Sequence, residues 1–136
     1  MELYKYYTSK EIPTLFLHGF LGSRKSWNEI VKILKKHSIT LDITGHNRSL
    51  FDQRDTNYSI ESWCTELKNQ LDKESIQSIN LCGYSMGGRL AIAFAQKYPS
   101  LIKNLILEST TPGIIGKEDK KIRYNTDLML CDKIVS

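Results

Sequence analysis

The sequence predicts an α/β protein built on a doubly wound, mostly parallel sheet, and three observations carry that expectation. Short, nearly continuous apolar runs recur at residues 14–18, 39–43, 79–83 and 104–109, as in parallel strands covered on both faces. Stretches with helical apolar spacing separate them. A serine between glycines, in Gly83-Tyr84-Ser85-Met86-Gly87, stands where the third run gives way to a helical one. The 136 residues suffice for one core.

Taken in order, "LYKYY" (residues 3–7) reads as an added edge strand and "TLFLH" as the first core strand. Ser26 and Glu29 fit a capping box opening the first helix, with Trp27, Ile30, Val31 and Leu34 as its apolar stripe. "ITLDI" is the next strand, and Ile60, Trp63, Leu67 and Leu71 mark a second helix. After "INLCG" a third helix runs from Met86 through "RLAIAFAQKY" and stops before Pro99. Its apolar residues occupy most of its circumference, which predicts deep burial. "NLILES" is the last strand, "TTPGIIGKEDKK" a loop, and the residues from Ile122 onward a weak helical pattern. Crossovers between the parallel strands should be right-handed.

Composition narrows the function classes. The net charge of +4 comes from cations scattered among acids. That argues against nucleic acid and suits at most a preference for small anions. The three cysteines, Cys64, Cys82 and Cys131, have neither metal-ligand nor CxxC spacing. Reduced thiols in a cytoplasmic protein are expected, with Cys82 as a core residue. No stretch resembles a signal peptide or is long enough to span a bilayer. No metal site is expected.

The chemistry concentrates at Ser85. In G-x-S-x-G, between a strand and a helix, the serine sits on a sharp turn that exposes its Oγ. Glycines at 83 and 87 let strand and helix approach closely. The Met86 N–H then points at the reacting oxygen. "LHGFLGS" after the first core strand offers a second such donor, the Phe20 N–H, with Gly19 allowing close backbone approach. His18 reads as the histidine that orders this loop. Asp42 and His46, in "LDITGH", are expected to hold the neighbouring loop by hydrogen bonds, and His37 to lie on the surface. All three histidines precede Ser85, and none reads as its base, because the Ser-first order of this motif places the base later. Arg89, one helical turn after Ser85, either grips a carboxylate or is solvated. Arg123 reads as a solvated face, and Trp27 and Trp63 as core.

"LHGFLGSRKSW", "GYSMGGRLAIAFA" and "LILESTTPGI", followed by the charged stretch to Arg123 and Asp127, resemble the α/β-hydrolase superfamily. Within it they are most similar to the 2-succinyl-6-hydroxy-2,4-cyclohexadiene-1-carboxylate synthases of menaquinone biosynthesis. The resemblance implies a cofactor-free lyase that eliminates pyruvate from 2-succinyl-5-enolpyruvyl-6-hydroxy-3-cyclohexene-1-carboxylate. It implies Ser85 as the triad serine, acting in proton abstraction, and the Phe20 and Met86 N–H groups as the oxyanion hole. Tyr84, Arg89 and Arg123 would contact the carboxylates of a small polyanionic substrate. Thr44 and Asn47 depart from the proline and glycine common in the superfamily. The family's acid and histidine follow a helical cap. The resemblance therefore implies an N-terminal part of the hydrolase core at residues 1–112, truncated before the last strands, and the start of a cap at 113–136. Such a fragment would be inactive alone and poorly soluble, exposing the edge of its last strand and Ile122, Met129 and Ile134 of the cap. An esterase fragment and a non-catalytic anion-binding remnant are the competing expectations.

Overall fold

The computed structural model describes residues 1–47 and 59–135, the side chains of 134 and 135 excepted, so Ile134 lies outside the described side chains. Strand alternation sorts the sheet into two unequal faces. Five strands are described: β1 (Tyr4–Tyr6), β2 (Thr14–Leu17), β3 (Ser38–Thr40), β4 (Ile79–Tyr84) and β5 (Ile102–Glu108). They pair in the order β1-β3-β2-β4-β5. Only β1 is antiparallel to its neighbour; the other pairings are parallel. This is a doubly wound α/β sheet with an added edge strand.

Leu15, Leu17, Ile39, Ile79 and Leu81 face one way. They pack against Trp63, Cys64, Leu67 and Leu71 of α2 (Ile60–Lys73) and Leu90, Ala91 and Phe94 of α3 (Met86–Lys97). The opposite face is thinner: Phe16 and Cys82 pack against Val31 of α1 (Asn28–Leu34), flanked by Tyr6 and Trp27. Burial raises the pKa of the Cys64 and Cys82 thiols, so both behave as small core residues. Cys131 is free and exposed.

Four expectations need correction. The capping box belongs to Ser23 and Ser26 and opens a 3-10 turn, Arg24–Trp27, from which α1 continues. The α1 stripe is mostly uncovered: Ile30 and Leu34 are exposed and only Val31 is buried. α3 is buried on one face rather than all round, with Arg89, Gln96 and Lys97 exposed. The final helix, α4 (Lys117–Val135), starts five residues before Ile122, within the stretch read as a loop.

β5 closes the described sheet on one side. Cys82 pairs with Ile106 and Leu81 with Leu105, so Ile106 joins the thin face and Leu105 and Leu107 the thick one. All three are exposed. None of the described side chains of α4 is buried. No described helix is long and apolar enough to cross a membrane.

Candidate active site

The turn after β4 is set by steric exclusion. A Cβ on Gly87 would stand 2.4 Å from the Leu17 carbonyl oxygen and 2.5 Å from that of His18. A Cβ on Gly83 would lie 2.6 Å from both Gly87 O and Gly88 Cα. Without these side chains α3 starts directly against β2 and β4, and the connecting residue must turn sharply. That residue is Ser85, with φ +51° and ψ −113°. The left-handed φ costs a non-glycine residue about 1–3 kcal/mol and persists only where its surroundings over-determine it.

Those surroundings are visible. The Ser85 N–H donates to Glu108 O at 2.9 Å. Its carbonyl accepts from Thr110 Oγ1 at 2.7 Å and from the Gly88 and Arg89 N–H groups at 3.0 and 3.3 Å. Thr110 is a residue that sequence reasoning missed. It lies in "ESTTPG", whose spacing marked a motif without revealing that its hydroxyl anchors the serine turn. Met86 is the first residue of α3, so its N–H has no intrahelical acceptor and is free for an oxyanion.

The Gly19–Phe20 loop packs directly on this turn. A Cβ on Gly19 would stand 2.9 Å from the Tyr84 ring and 3.4 Å from Ser85 Cβ. His18 is fully buried and bridges two loops. Its Nδ1 is 2.8 Å from Gly19 O, and the Ile43 N–H donates to its Nε2 at 3.0 Å. Nε2 is thus the acceptor and Nδ1–H the donor, which is the neutral ring. Burial lowers the pKa of His18, only partly opposed by the Gly19 carbonyl.

Asp42 supports the same loops from the side. Its oxygens accept from the Arg24 N–H and from Asn47 Nδ2, both at 2.8 Å, and the Arg24 side chain approaches within 3.5 Å. The Arg24 guanidinium also lies 3.8 Å over the Tyr4 ring. Asn47 holds φ +50°, a conformation asparagine tolerates, so it can stand where glycine is common. His46 holds its loop through its backbone, whose N–H donates to Ile43 O at 2.9 Å, and among the described residues its ring adds no hydrogen bond. Its Nδ1 is buried without a partner, and its ring packs edge-on against His18 and Phe20 at 5.2 and 6.0 Å.

Ser85 opens into a cavity of about 380 Å³. Phe20, Met86 and Arg89 line it on one side, with Thr110 and Thr111 beside them. Arg123, Asp127, Leu130 and Cys131 line it from α4. The cavity therefore joins Ser85 to both arginines singled out in the sequence. Arg123 Nε donates to both Asp127 oxygens, at 2.8 and 2.9 Å. Tyr84 lines a separate cavity of about 280 Å³ with His18, Trp27 and Glu108. His18 belongs to that second cavity, His46 lines neither, and the His37 Nδ1 lies 3.1 Å from Glu11 O. No histidine lines the Ser85 cavity.

These features define a class: a serine on a strained strand-to-helix turn at the end of a parallel strand, at the start of a helix and with the Gly19 loop packed beside it. The α/β hydrolase fold family model matches residues 13–130, and the chain belongs to that family. Within it, a protein of Bacillus subtilis (strain 168) named as a 2-succinyl-6-hydroxy-2,4-cyclohexadiene-1-carboxylate synthase is 37% identical over 120 residues, 88% of this chain and 44% of that one. The synthase of that name from Klebsiella pneumoniae is 30% identical over 83% of this chain and 44% of its own length. The structure of MenH from S. aureus superposes with a TM-score of 0.81 at 34% identity, covering 93% of this chain and 48% of that one. A marine microorganism esterase superposes with a TM-score of 0.79 at 26% identity. The chain spans about half the length of the relatives it matches.

Proposed function

We propose that this chain carries the serine-bearing half of a 2-succinyl-6-hydroxy-2,4-cyclohexadiene-1-carboxylate synthase, a lyase of menaquinone biosynthesis. The observation that carries the reading is the cavity shared by Ser85, Arg89 and Arg123. An esterase needs the serine and two N–H donors. A pair of guanidinium groups beside them suits a substrate with more than one carboxylate. Among the described residues no carboxylate pairs with Arg89.

In this reading the enolpyruvyl cyclohexene carboxylate enters between α3 and α4, and its carboxylates meet Arg89 and Arg123. Ser85 Oγ takes part in removing a ring proton. The Phe20 and Met86 N–H groups stabilise the enolate oxygen as charge develops, a donor contribution of about 3 kcal/mol each. The ring double bond shifts as the C–O bond to the enolpyruvyl group breaks, and the released enolate takes up a proton to become pyruvate. Ser85 needs a base, because a lone hydroxyl is weak at neutral pH. His18 cannot serve: both of its nitrogens are engaged. The proposal therefore places the base and its acid partner outside residues 1–136, as in the family.

Purified residues 1–136 and the family-length enzyme would each be given the cyclohexene substrate and, separately, a p-nitrophenyl ester. The expected result is pyruvate release by the longer enzyme alone, lost on Ser85→Ala. Ester turnover without pyruvate release would replace the lyase by an esterase. Serine-dependent pyruvate release by residues 1–136 would refute the division of the triad.

A further inference from the structure

We propose that Asp127 is a positioning residue that fixes which edge of the Arg123 guanidinium faces the Ser85 cavity. The inference rests on the anion-binding reading of Arg89 and Arg123 above and deepens it. A guanidinium can grip a carboxylate in two ways, end-on through its two Nη groups or side-on through Nε and one Nη. Both hydrogen bonds from Arg123 to Asp127 use Nε. The side-on edge is thereby taken, and Asp127 leaves the end-on edge for a ligand.

The two arginines of the cavity are otherwise unlike. Arg89 follows the serine on α3, whose start is locked against β2 by Gly87. Arg123 stands on α4, a helix without a buried described side chain. A long side chain on so exposed a helix has many rotamers, and ordering it at the moment of binding costs affinity. Asp127, one turn further along the same helix, supplies that order in advance. The pair is about half exposed, 53% and 50%. As an ion pair it is therefore worth little to stability, and its consequence lies in orientation. Asp127 also lines the cavity, so its charge opposes an incoming carboxylate. Orientation and repulsion predict opposite effects on removing Asp127, and that makes the inference testable.

The probe is isophthalate, a ring dicarboxylate, with its neutral diamide as control. Binding to residues 1–136 would be measured by chemical-shift perturbation, or by calorimetry. Arg89→Ala and Arg123→Ala should each weaken isophthalate binding about tenfold and leave the diamide unaffected. Asp127→Ala should weaken it about fivefold, although the substitution removes a negative charge. Asp127→Asn should restore wild-type affinity or better, because its side-chain oxygen still accepts from Nε without the charge. Alanine favours helix, so loss of α4 would not mimic this result, and far-UV circular dichroism checks it. If Asp127→Ala binds as tightly as wild type or tighter while Arg123→Ala weakens binding, the inference is overturned and the anion reading stands. If neither arginine substitution changes isophthalate binding, the anion reading fails and the inference falls with it.

Discussion

α3 and α4 both reach the Ser85 cavity, and they are held in place by very different means. α3 buries Leu90, Ala91 and Phe94 in the main core and begins against β2 across a gap that admits no side chain at Gly87. α4 is longer, 19 residues against 12. Even so, Ile122, Tyr124, Leu128, Met129 and Leu130 are all exposed. Apolar residues spread around a helix bury no common face. The difference separates two tasks. A reacting serine needs placement to fractions of an ångström, and Ser85 lies on over-determined backbone. The arginine that would select the substrate lies on a helix with little tertiary support, where local pairing with Asp127 supplies the order.

The same contrast appears across the sheet. The thick face holds the main core, whereas the thin face leaves Ile30, Leu34 and Ile106 exposed. Among the described residues β5 has no strand on its outer edge, beside exposed Leu105, Ile106 and Leu107. Such an edge invites pairing with another chain.

If the comparison is right, equal truncations should have unequal effects. The largest is expected for Phe94→Ala. Phe94 is fully buried beneath α3, and its loss should cost about 3–5 kcal/mol. Urea unfolding read by tryptophan fluorescence would show it, and a cost near 1 kcal/mol would mean that α3 is less firmly seated than described. Gly87→Ala comes next. Its Cβ would meet backbone carbonyls rather than flexible side chains, so relief requires moving α3 away from β2, at about 1–3 kcal/mol. In a family-length enzyme of the kind proposed, it should also lower kcat more than it raises KM, because the shift would displace Ser85 and the Met86 N–H together.

His18 gives an effect of intermediate size with a defined sign. Its folded pKa lies below the unfolded value of 6.5, so the unfolded chain takes up the proton first. Its contribution is fully present above about pH 6.5 and is lost as pH falls through the folded pKa. Over that window stability should fall by at most about 1.4 kcal/mol per pH unit from this one group. Unfolding titrations of wild type and His18→Gln between pH 7.5 and 5 should therefore differ in slope. Parallel curves would show that His18 is not held neutral.

Much of this was legible beforehand. Four apolar runs and three helical patterns marked the sheet and its crossovers, because both depend on local periodicity. Ser85 could be placed on its turn because Gly83 and Gly87 have a steric reason visible in the sequence. What was hidden depends on contacts between distant segments. β3 ends at Thr40, before the apolar run ends, because the Ile43 N–H turns to His18 Nε2 instead of to a strand. The Thr110 hydroxyl reaches the Ser85 carbonyl across 25 residues. Tyr84 lines the cavity of the Gly19 loop and not that of Ser85, which motif spacing could not reveal.

The smallest effect is expected in α4, and it tests the comparison from the weak side. Met129 is 64% exposed and loses almost no buried surface on truncation. Surface substitutions of this kind stay within about 0.5 kcal/mol. Alanine is also at least as good a helix former as methionine, so Met129→Ala should leave the unfolding midpoint unchanged or raise it slightly. The same substitution in a family-length enzyme provides the contrast. If α4 there remains as open as in residues 1–136, the result will be the same. A cost of 2 kcal/mol or more, about that of a buried methionine, would show instead that further chain covers α4. Arg123 would then owe its placement to that packing as well as to Asp127.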